Sequence, residues 1–125
     1  MTHPNILITR FIPDAGLSLL RQHYPNFDIW THDLPMTREE LIQRSHGVDG
    51  LLCALTEKIN AELMDSIGTQ LKVISSMSVG VDHIDIQAAT QRKIPVGNTP
   101  GVLTDATADQ AFALMLAAAR RITEA

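Results

Sequence analysis

Short, continuous apolar segments alternate along this chain with longer segments of helical periodicity, and this alternation constrains the fold more than any other feature. Apolar segments without polar alternation are typical of strands that are buried on both faces of a parallel sheet. Proline lacks the N–H that a central strand donates, so the last segment, which contains Pro95, is predicted at a sheet edge. The five predicted strands are residues 5–10, 27–31, 50–55, 71–76 and 94–96.

Helix-capping signals lie between the predicted strands. Thr37 and Glu40 have the spacing of a capping box, which begins a helix. Met36 and Leu41 occupy the two positions of a hydrophobic staple around the same start. The sequence therefore predicts an α/β fold, a flavodoxin-like, doubly wound, parallel five-stranded sheet. Further helices of this fold are predicted between Pro13 and Pro25, from Asn60 to Gly68, and over residues 85–92.

The last segment is predicted to be a long helix that runs from Thr104 to the C-terminus and is apolar all round. Thr104 is expected to cap it. Phe112 and Met115 share one face, whereas Leu114 points elsewhere and is apolar too. A helix that is apolar on every side expects protein on every side, which one small sheet cannot supply. The helix is therefore predicted to lie between two domains.

Composition and charge exclude several classes of protein. Ten Lys and Arg residues against fourteen Asp and Glu residues give a formal net charge of −4, with no basic run, so neither a nucleic acid nor a membrane partner is expected. The single cysteine, Cys53, excludes an internal disulfide. The N-terminus does not resemble a signal peptide, and the longest apolar run, residues 111–119, is shorter than the roughly 20 residues that cross a bilayer.

The loop at residues 76–82 is the most informative candidate for a ligand site. It follows the most central-looking strand, and ligands of a doubly wound sheet bind outside the carboxyl ends of its strands. Gly80 is expected to allow a sharp turn and close approach of a ligand to the backbone. Successive exposed N–H groups would form a nest for a carboxylate, and the alternative is a turn that binds nothing.

Other residues that could carry chemistry have weaker patterns. The five histidines lack metal-ligand spacing, so no metal is expected. His83 is either a catalytic base or a half-exposed loop residue. Cys53 is expected to be a small core residue and not a nucleophile, because nothing basic lies near it in sequence. Arg10 is either a solvated charge at a strand end or a cation facing the cleft.

Two long motifs resemble the D-isomer-specific 2-hydroxyacid dehydrogenase family, and within it the glyoxylate/hydroxypyruvate reductase branch. Residues 73–85 read VISSMSVGVDHID, and residues 94–109 read IPVGNTPGVLTDATAD. Residues 9–13 and 49–55 are also similar to that branch. The resemblance extends over the whole chain.

The resemblance implies a division of labour between two domains. Residues 1–103 would form the substrate domain, and residues 104–125 would be the crossover helix that leads to a Rossmann domain binding NAD or NADP. That nucleotide-binding domain is absent from these 125 residues. The residue that distinguishes NAD from NADP is expected to be absent with it.

The resemblance also implies roles for four residues of this chain. The backbone at Val79 and Gly80 would hold the substrate carboxylate. Leu55 would line the substrate pocket, and Thr107 would lie close to the nicotinamide end of the cofactor. The implied reaction of the whole enzyme is reduction of a small 2-oxo acid, such as glyoxylate or hydroxypyruvate, to the D-2-hydroxy acid by NADH or NADPH. The implied enzyme is dimeric and cytoplasmic.

The family's catalytic arginine, glutamate and histidine cannot be matched to any residue of this chain, nor can its glycine-rich cofactor loop. The 125 residues are therefore expected to be inactive alone and to self-associate through the apolar helix. One alternative is a non-catalytic interaction module, like the related carboxyl-terminal-binding corepressors. Another is a general flavodoxin-like domain, but Arg10 and Phe11 occupy positions where a receiver or flavin-binding domain carries acidic or small hydroxyl residues.

Overall fold

The computed structural model describes residues 3–124, which form five strands and five α-helices in strict alternation. The strands are β1 (Ile6–Ile8), β2 (Phe27–Ile29), β3 (Gly50–Cys53), β4 (Val73–Ser76) and β5 (Val96–Gly97). The helices are α1 (Asp14–His23), α2 (Arg38–Ser45), α3 (Ala61–Ile67), α4 (Ile86–Gln91) and α5 (Thr104–Ala119). A 3-10 turn, Ile122–Glu124, follows α5.

All strand pairs are parallel, and the strand order is β2-β1-β3-β4-β5. This order is that of a flavodoxin-like doubly wound sheet, as the sequence predicts. The strand that follows Pro95 lies at one edge, which confirms that part of the prediction. The middle strand is β3, so the expectation that β4 is the most central one is wrong by one position.

Helices cover the sheet on both faces because neighbouring side chains of a strand point to opposite sides. Leu7 of β1 belongs to a large core with the buried side chains of α2, α3 and α4. Ile8, the next residue, packs instead with Ile12 and with Leu17 of α1. The doubly wound arrangement is therefore confirmed. The fully buried large residues of the first core include Leu51, Ile59, Leu63, Met64, Ile67 and Ile74.

The predicted helix caps at Thr37 and Asn60 are present. The Thr37 hydroxyl accepts from the Glu40 N–H at 3.2 Å, and the Glu40 carboxylate accepts from the Thr37 N–H at 2.8 Å, which completes the capping box. Asn60 Oδ1 accepts from the Leu63 N–H at 3.1 Å. These caps satisfy N–H groups that have no partner inside the helix.

The end segment differs from the prediction in two ways. Thr104 is the first residue of α5 and not its cap; Leu103 holds the cap position, and no side chain there accepts a hydrogen bond. The α-helix also ends at Ala119 and does not continue to the C-terminus. Arg121 adopts a left-handed backbone with φ 51°, which interrupts the helical geometry before the 3-10 turn. Ala125 lies outside the described residues.

The helix α5 stands apart from the core, and none of its residues is buried. Phe112, Leu114, Met115 and Leu116 are each between 60% and 63% exposed. The other four helices all bury residues against the sheet. The sheet therefore supplies no packing surface for α5, and its place between two domains stays a prediction. Of the helices in residues 3–124, none combines the length and apolarity that crossing a bilayer requires.

Replacing Thr37 by alanine is expected to lower the free energy of unfolding by about 1 kcal/mol at neutral pH, because the cap for the Glu40 N–H is lost. Thr37→Ser keeps the hydroxyl and should remain near the wild type. The box also holds the pKa of Glu40 below its ordinary 4.5, through the N–H of Thr37 first and its hydroxyl second. Because the pKa of Glu40 is lower in the folded chain, its interaction stabilises the fold at pH values above 4.5. This stabilisation is lost as the pH falls through the pKa that Glu40 has in the folded chain.

Urea unfolding of the three proteins at neutral pH, and at a series of pH values below 4.5, tests this account. The difference in free energy of unfolding between the wild type and Thr37→Ala should become smaller at low pH, because Glu40 becomes protonated. Equal stability of the alanine and serine variants at neutral pH would contradict it.

Candidate functional site

The candidate site lies at the carboxyl edge of the sheet, where β4 and β5 end side by side. β5 pairs with β4 in parallel, so the residues that follow the two strands run next to each other. The Thr99 N–H donates to the Ser78 carbonyl oxygen at 2.8 Å. Asn98 Nδ2 donates to the Val79 carbonyl oxygen at 2.7 Å. The segment after β5 thus holds the loop after β4 by its carbonyl groups.

The backbone N–H groups of Val79 and Gly80 are unpaired. Both residues are exposed, Val79 to 39%, and within residues 3–124 neither N–H donates a hydrogen bond. Gly80 does not have a left-handed backbone, so its place in this loop does not depend on a positive φ. A Cβ at Gly80 would meet nothing within 4 Å. The glycine thus leaves open space beside a loop with two unpaired backbone donors.

A chain of polar side chains lies behind the loop. Ser76 and Ser78 are 2% and 3% exposed, and their hydroxyls are 2.5 Å apart. Ser78 Oγ donates to the Gly80 carbonyl oxygen at 2.7 Å. On the inner side, Ser76 Oγ lies 3.0 Å from Nε2 of His83. The loop is therefore tied to buried polar groups and not only to its neighbour strand.

His83 is half-buried and faces this interior chain. Its Nε2 is engaged with Ser76, and its Nδ1 is buried with no hydrogen-bond partner in the described part of the chain. Neither ring nitrogen is free to take a proton from a ligand outside the loop. Of the two interpretations left open by the sequence, the loop residue fits this geometry and the catalytic base does not.

Cys53 is a core residue, as predicted, with 1% exposure. Burial raises the pKa of its thiol to about 11, so the thiol stays protonated at neutral pH. No basic residue lies near Cys53 along the chain, yet the fold places His83 Nε2 3.9 Å from the Cys53 sulfur. This is a long hydrogen-bond contact to sulfur, and burial still raises the pKa of the thiol, so Cys53 is not an activated nucleophile.

Leu55 and Thr107 occupy different places relative to the loop. Leu55 follows β3, the neighbour of β4, and its side chain is 65% exposed. The Met77 N–H donates to the Cys53 carbonyl oxygen at 2.9 Å, so the segments after β3 and β4 begin together at this edge. Thr107 instead lies exposed in the first turn of α5, the helix that has no buried residue.

Sequence reasoning missed Glu57, a carboxyl group only 4% exposed at the same edge. It accepts from the Thr9 hydroxyl at 2.8 Å and the Ala54 N–H at 3.1 Å, and the Thr56 hydroxyl donates to its other oxygen at 2.5 Å. These bonds fix the turn that carries Leu55. No local pattern marks Glu57, because Thr9 is 48 positions away in sequence.

Arg10 is held at the far side of the same edge. Its Nη2 donates to the Asp33 carbonyl oxygen at 3.0 Å, and its Nη1 is buried without a hydrogen-bond partner in residues 3–124. The guanidinium is therefore not simply a solvated charge at a strand end. Across the same described residues, no group of three His, Cys, Asp or Glu side chains is placed to hold a metal ion.

The fold and the loop together define a class: a five-stranded α/β domain that presents unpaired backbone N–H groups at the carboxyl edge of its sheet. The family described as "D-isomer specific 2-hydroxyacid dehydrogenase, catalytic domain" matches residues 6–125. The chain belongs to this family, which confirms the resemblance in the sequence.

Individual relatives agree with this assignment. A glyoxylate reductase of Thermofilum pendens is 51% identical over the whole chain, which corresponds to 37% of that relative's length. The crystal structure of the TT0316 protein from Thermus thermophilus has a TM-score of 0.86 and 45% identity, over 96% of this chain and 38% of that one. An acyclic imino acid reductase, solved with NADPH and D-Arg, has a TM-score of 0.80 and 25% identity, over 96% and 38%. This chain thus spans little more than a third of the relatives it matches.

Cys53 is expected to resist alkylation in the folded chain. A pKa raised from 9.0 to about 11, two units, means about 100-fold less thiolate at neutral pH, and burial slows the reagent further. Iodoacetamide labelling followed by mass spectrometry, with and without urea, measures the two rates, and Cys53→Ser serves as the unlabelled control. Equal rates in the folded and unfolded chain would contradict the buried, protonated thiol.

Proposed function

We propose that this chain is the substrate domain of an oxidoreductase that reduces a small 2-oxo acid, of the glyoxylate or hydroxypyruvate type, to the D-2-hydroxy acid. The observation that carries the proposal is the pair of unpaired, exposed N–H groups at Val79 and Gly80 in a member of this family. The 51% identical relative is a glyoxylate reductase, which supports this substrate type. A cytoplasmic location and a dimeric state are proposed on the same family ground.

The two N–H groups suit one carboxylate. Each oxygen of the acid would accept from one amide, and hydrogen bonds to an ionised acceptor are stronger than neutral ones. Leu55, 65% exposed at the same edge, would contact the small remainder of the acid. Nη2 of Arg10 donates to the Asp33 carbonyl oxygen and its Nη1 is buried, so no cation is assigned to the carboxylate. Binding by this chain is therefore expected to be weak.

The hydride donor would be NADH or NADPH, and the described residues do not by themselves fit a dinucleotide. The 125 residues contain no G-x-G-x-x-G loop for its phosphates. Thr107, exposed in the first turn of α5, is the one contact we propose for the nicotinamide end. NADPH in the 25% identical imino acid reductase supports a nicotinamide cofactor without choosing between the two.

Adding glycolate, the hydroxy acid that corresponds to glyoxylate, to the ¹⁵N-labelled chain should shift the amide signals of Val79 and Gly80. A dissociation constant on the order of 1 mM is expected, because two hydrogen bonds act without a cation. Glycolamide has the same size without the charge and should leave both signals in place. The same chain should not oxidise NADH or NADPH with glyoxylate. Equal shifts with glycolate and glycolamide would contradict the carboxylate site. Measurable oxidation of NADH or NADPH would contradict the view that this chain lacks the catalytic residues of the family.

A second function, protein binding, is favoured by the exposed apolar side chains of α5. Phe112, Leu114, Met115 and Leu116 lie within two turns of one helix, and soluble monomers rarely leave so much apolar surface in contact with water. We propose a second copy of this chain as the occupant, because the same surface on two copies can close a symmetric pair. The absence of charge supports a second copy as the occupant, since residues 110–119 carry no charged side chain that would repel the same segment of another copy.

Sedimentation velocity at high micromolar concentration is expected to detect dimers or larger species. Replacing Met115 and Leu116 together by glutamate should shift the chain towards monomer, because charges in the contact lose their hydration. Leu34→Glu is the matched control, since Leu34 is also apolar and 77% exposed but lies far from α5 in sequence. A monomeric wild type, or an equal effect of Leu34→Glu, would contradict pairing through α5.

A further inference from the structure

We propose that Asn98 and Ser78 are positioning residues for the carboxylate-binding loop: their side chains hold two of its backbone carbonyl groups, so that the following N–H groups point the opposite way, towards the ligand. The inference rests on the proposed function only in that the acid is taken to bind the N–H groups of Val79 and Gly80. The direction of those groups is a separate property that can be measured without a ligand.

The geometry of the peptide bond carries the first step. The described residues contain no cis peptide bond, and in a trans peptide a carbonyl oxygen and the following N–H point in opposite directions. Asn98 Nδ2 holds the Val79 carbonyl oxygen at 2.7 Å, and this bond fixes the direction of the Gly80 N–H. The Thr99 N–H holds the Ser78 carbonyl oxygen at 2.8 Å and does the same for the Val79 N–H.

Ser78 continues the pattern at the next peptide. Its hydroxyl donates to the Gly80 carbonyl oxygen at 2.7 Å, which directs the Val81 N–H outward. Three successive carbonyl groups are thus held by donors. Within residues 3–124 none of the three following N–H groups donates a hydrogen bond. A loop held on its carbonyl side alone keeps its donors available to an anion.

The buried hydroxyls form a chain with one possible direction. A hydroxyl has one proton, and Ser78 gives its proton to the Gly80 carbonyl oxygen, so Ser78 must accept from Ser76. Ser76 has then used its own proton and must accept from His83, whose Nε2 lies 3.0 Å away. In the tautomer that this direction requires, His83 carries a proton on Nε2. The loop carbonyl, two serines and a histidine act as one unit that holds Ser78 in place.

The absence of either side chain should cost binding by leaving a peptide free to rotate. Without Asn98, the peptide between Val79 and Gly80 loses its anchor, and its N–H must be reoriented each time an acid binds. One lost hydrogen bond of ordinary strength corresponds to about fivefold weaker binding. Asn98 is exposed, so its replacement should leave the fold intact.

The test for Asn98 compares the ¹⁵N-labelled wild type with Asn98→Ala and with Asn26→Ala, the same change at an exposed residue just before β2, at the amino edge. Residual dipolar couplings, recorded without ligand, report the direction of the Val79 and Gly80 N–H bonds. Asn98→Ala should reduce the Gly80 coupling by averaging and weaken glycolate binding about fivefold. Asn26→Ala should change neither quantity.

The test for Ser78 uses the histidine ring. In Ser78→Ala, Ser76 loses its acceptor and becomes free to donate to His83 Nε2, so the ring should shift towards the Nδ1–H tautomer. The ¹⁵N chemical shifts of the ring nitrogens measure this change, which the loss of packing alone would not produce. Ser66→Ala, which removes a hydroxyl bonded to the Leu63 carbonyl oxygen away from the loop, is the control.

The outcomes separate this inference from the proposed function. An unchanged Gly80 coupling in Asn98→Ala overturns the positioning role of Asn98, and an unchanged His83 tautomer in Ser78→Ala overturns that of Ser78. If the wild type does not respond to glycolate, the proposed function fails, while the couplings and the tautomer still decide whether these side chains direct the loop. A reduced Gly80 coupling together with about fivefold weaker glycolate binding in Asn98→Ala supports both the positioning role and the proposed function.

Discussion

The parallel pairing of β4 between β3 and β5 is the constraint on which the candidate site depends. Its register places Cys53 beside Ser76, and Ser75 beside Gly97. Strands that run in the same direction end at the same edge, so three loops meet there and share backbone hydrogen bonds. An antiparallel neighbour in place of β5 would carry Asn98 and Thr99 to the opposite edge, and the Ser78 and Val79 carbonyl groups would lose the donors that hold them.

The apolar core beneath this edge keeps the pairing in place, and buried polar groups complete it. Ile74 and Leu51, on neighbouring strands, are 0% and 2% exposed. Just above them, the sheet gives way to hydroxyl and carboxyl groups that are almost as deeply buried, and to the half-buried imidazole of His83. Such groups are tolerated only when they bond to one another, and Ser76, Ser78 and Glu57 do so. The buried side of this edge is therefore held by hydrogen bonds, whereas Val79 and Gly80 on its other side are exposed to solvent.

The helix α5 differs from the other four helices in how it packs. The helices α1 to α4 each bury side chains on the sheet, whereas α5 keeps its apolar residues in contact with solvent. The matched relatives are nearly three times as long as this chain. A helix with so little polar face requires further protein around it, which the sheet of this chain does not supply.

Features that depend on neighbours within a few positions could be predicted from the residues alone: five strands, the caps at Thr37 and Asn60, the edge strand after Pro95 and the family. The assembled sheet was needed to show that Asn98 holds a carbonyl 19 positions away, that His83 lies behind the loop, and that Glu57 bonds to Thr9. The loop glycine illustrates the difference, because only the assembled fold shows that a Cβ at Gly80 would meet open space. Local hydrogen bonds leave a pattern in adjacent residues, whereas contacts across a sheet depend on strand order and register, which no short segment contains.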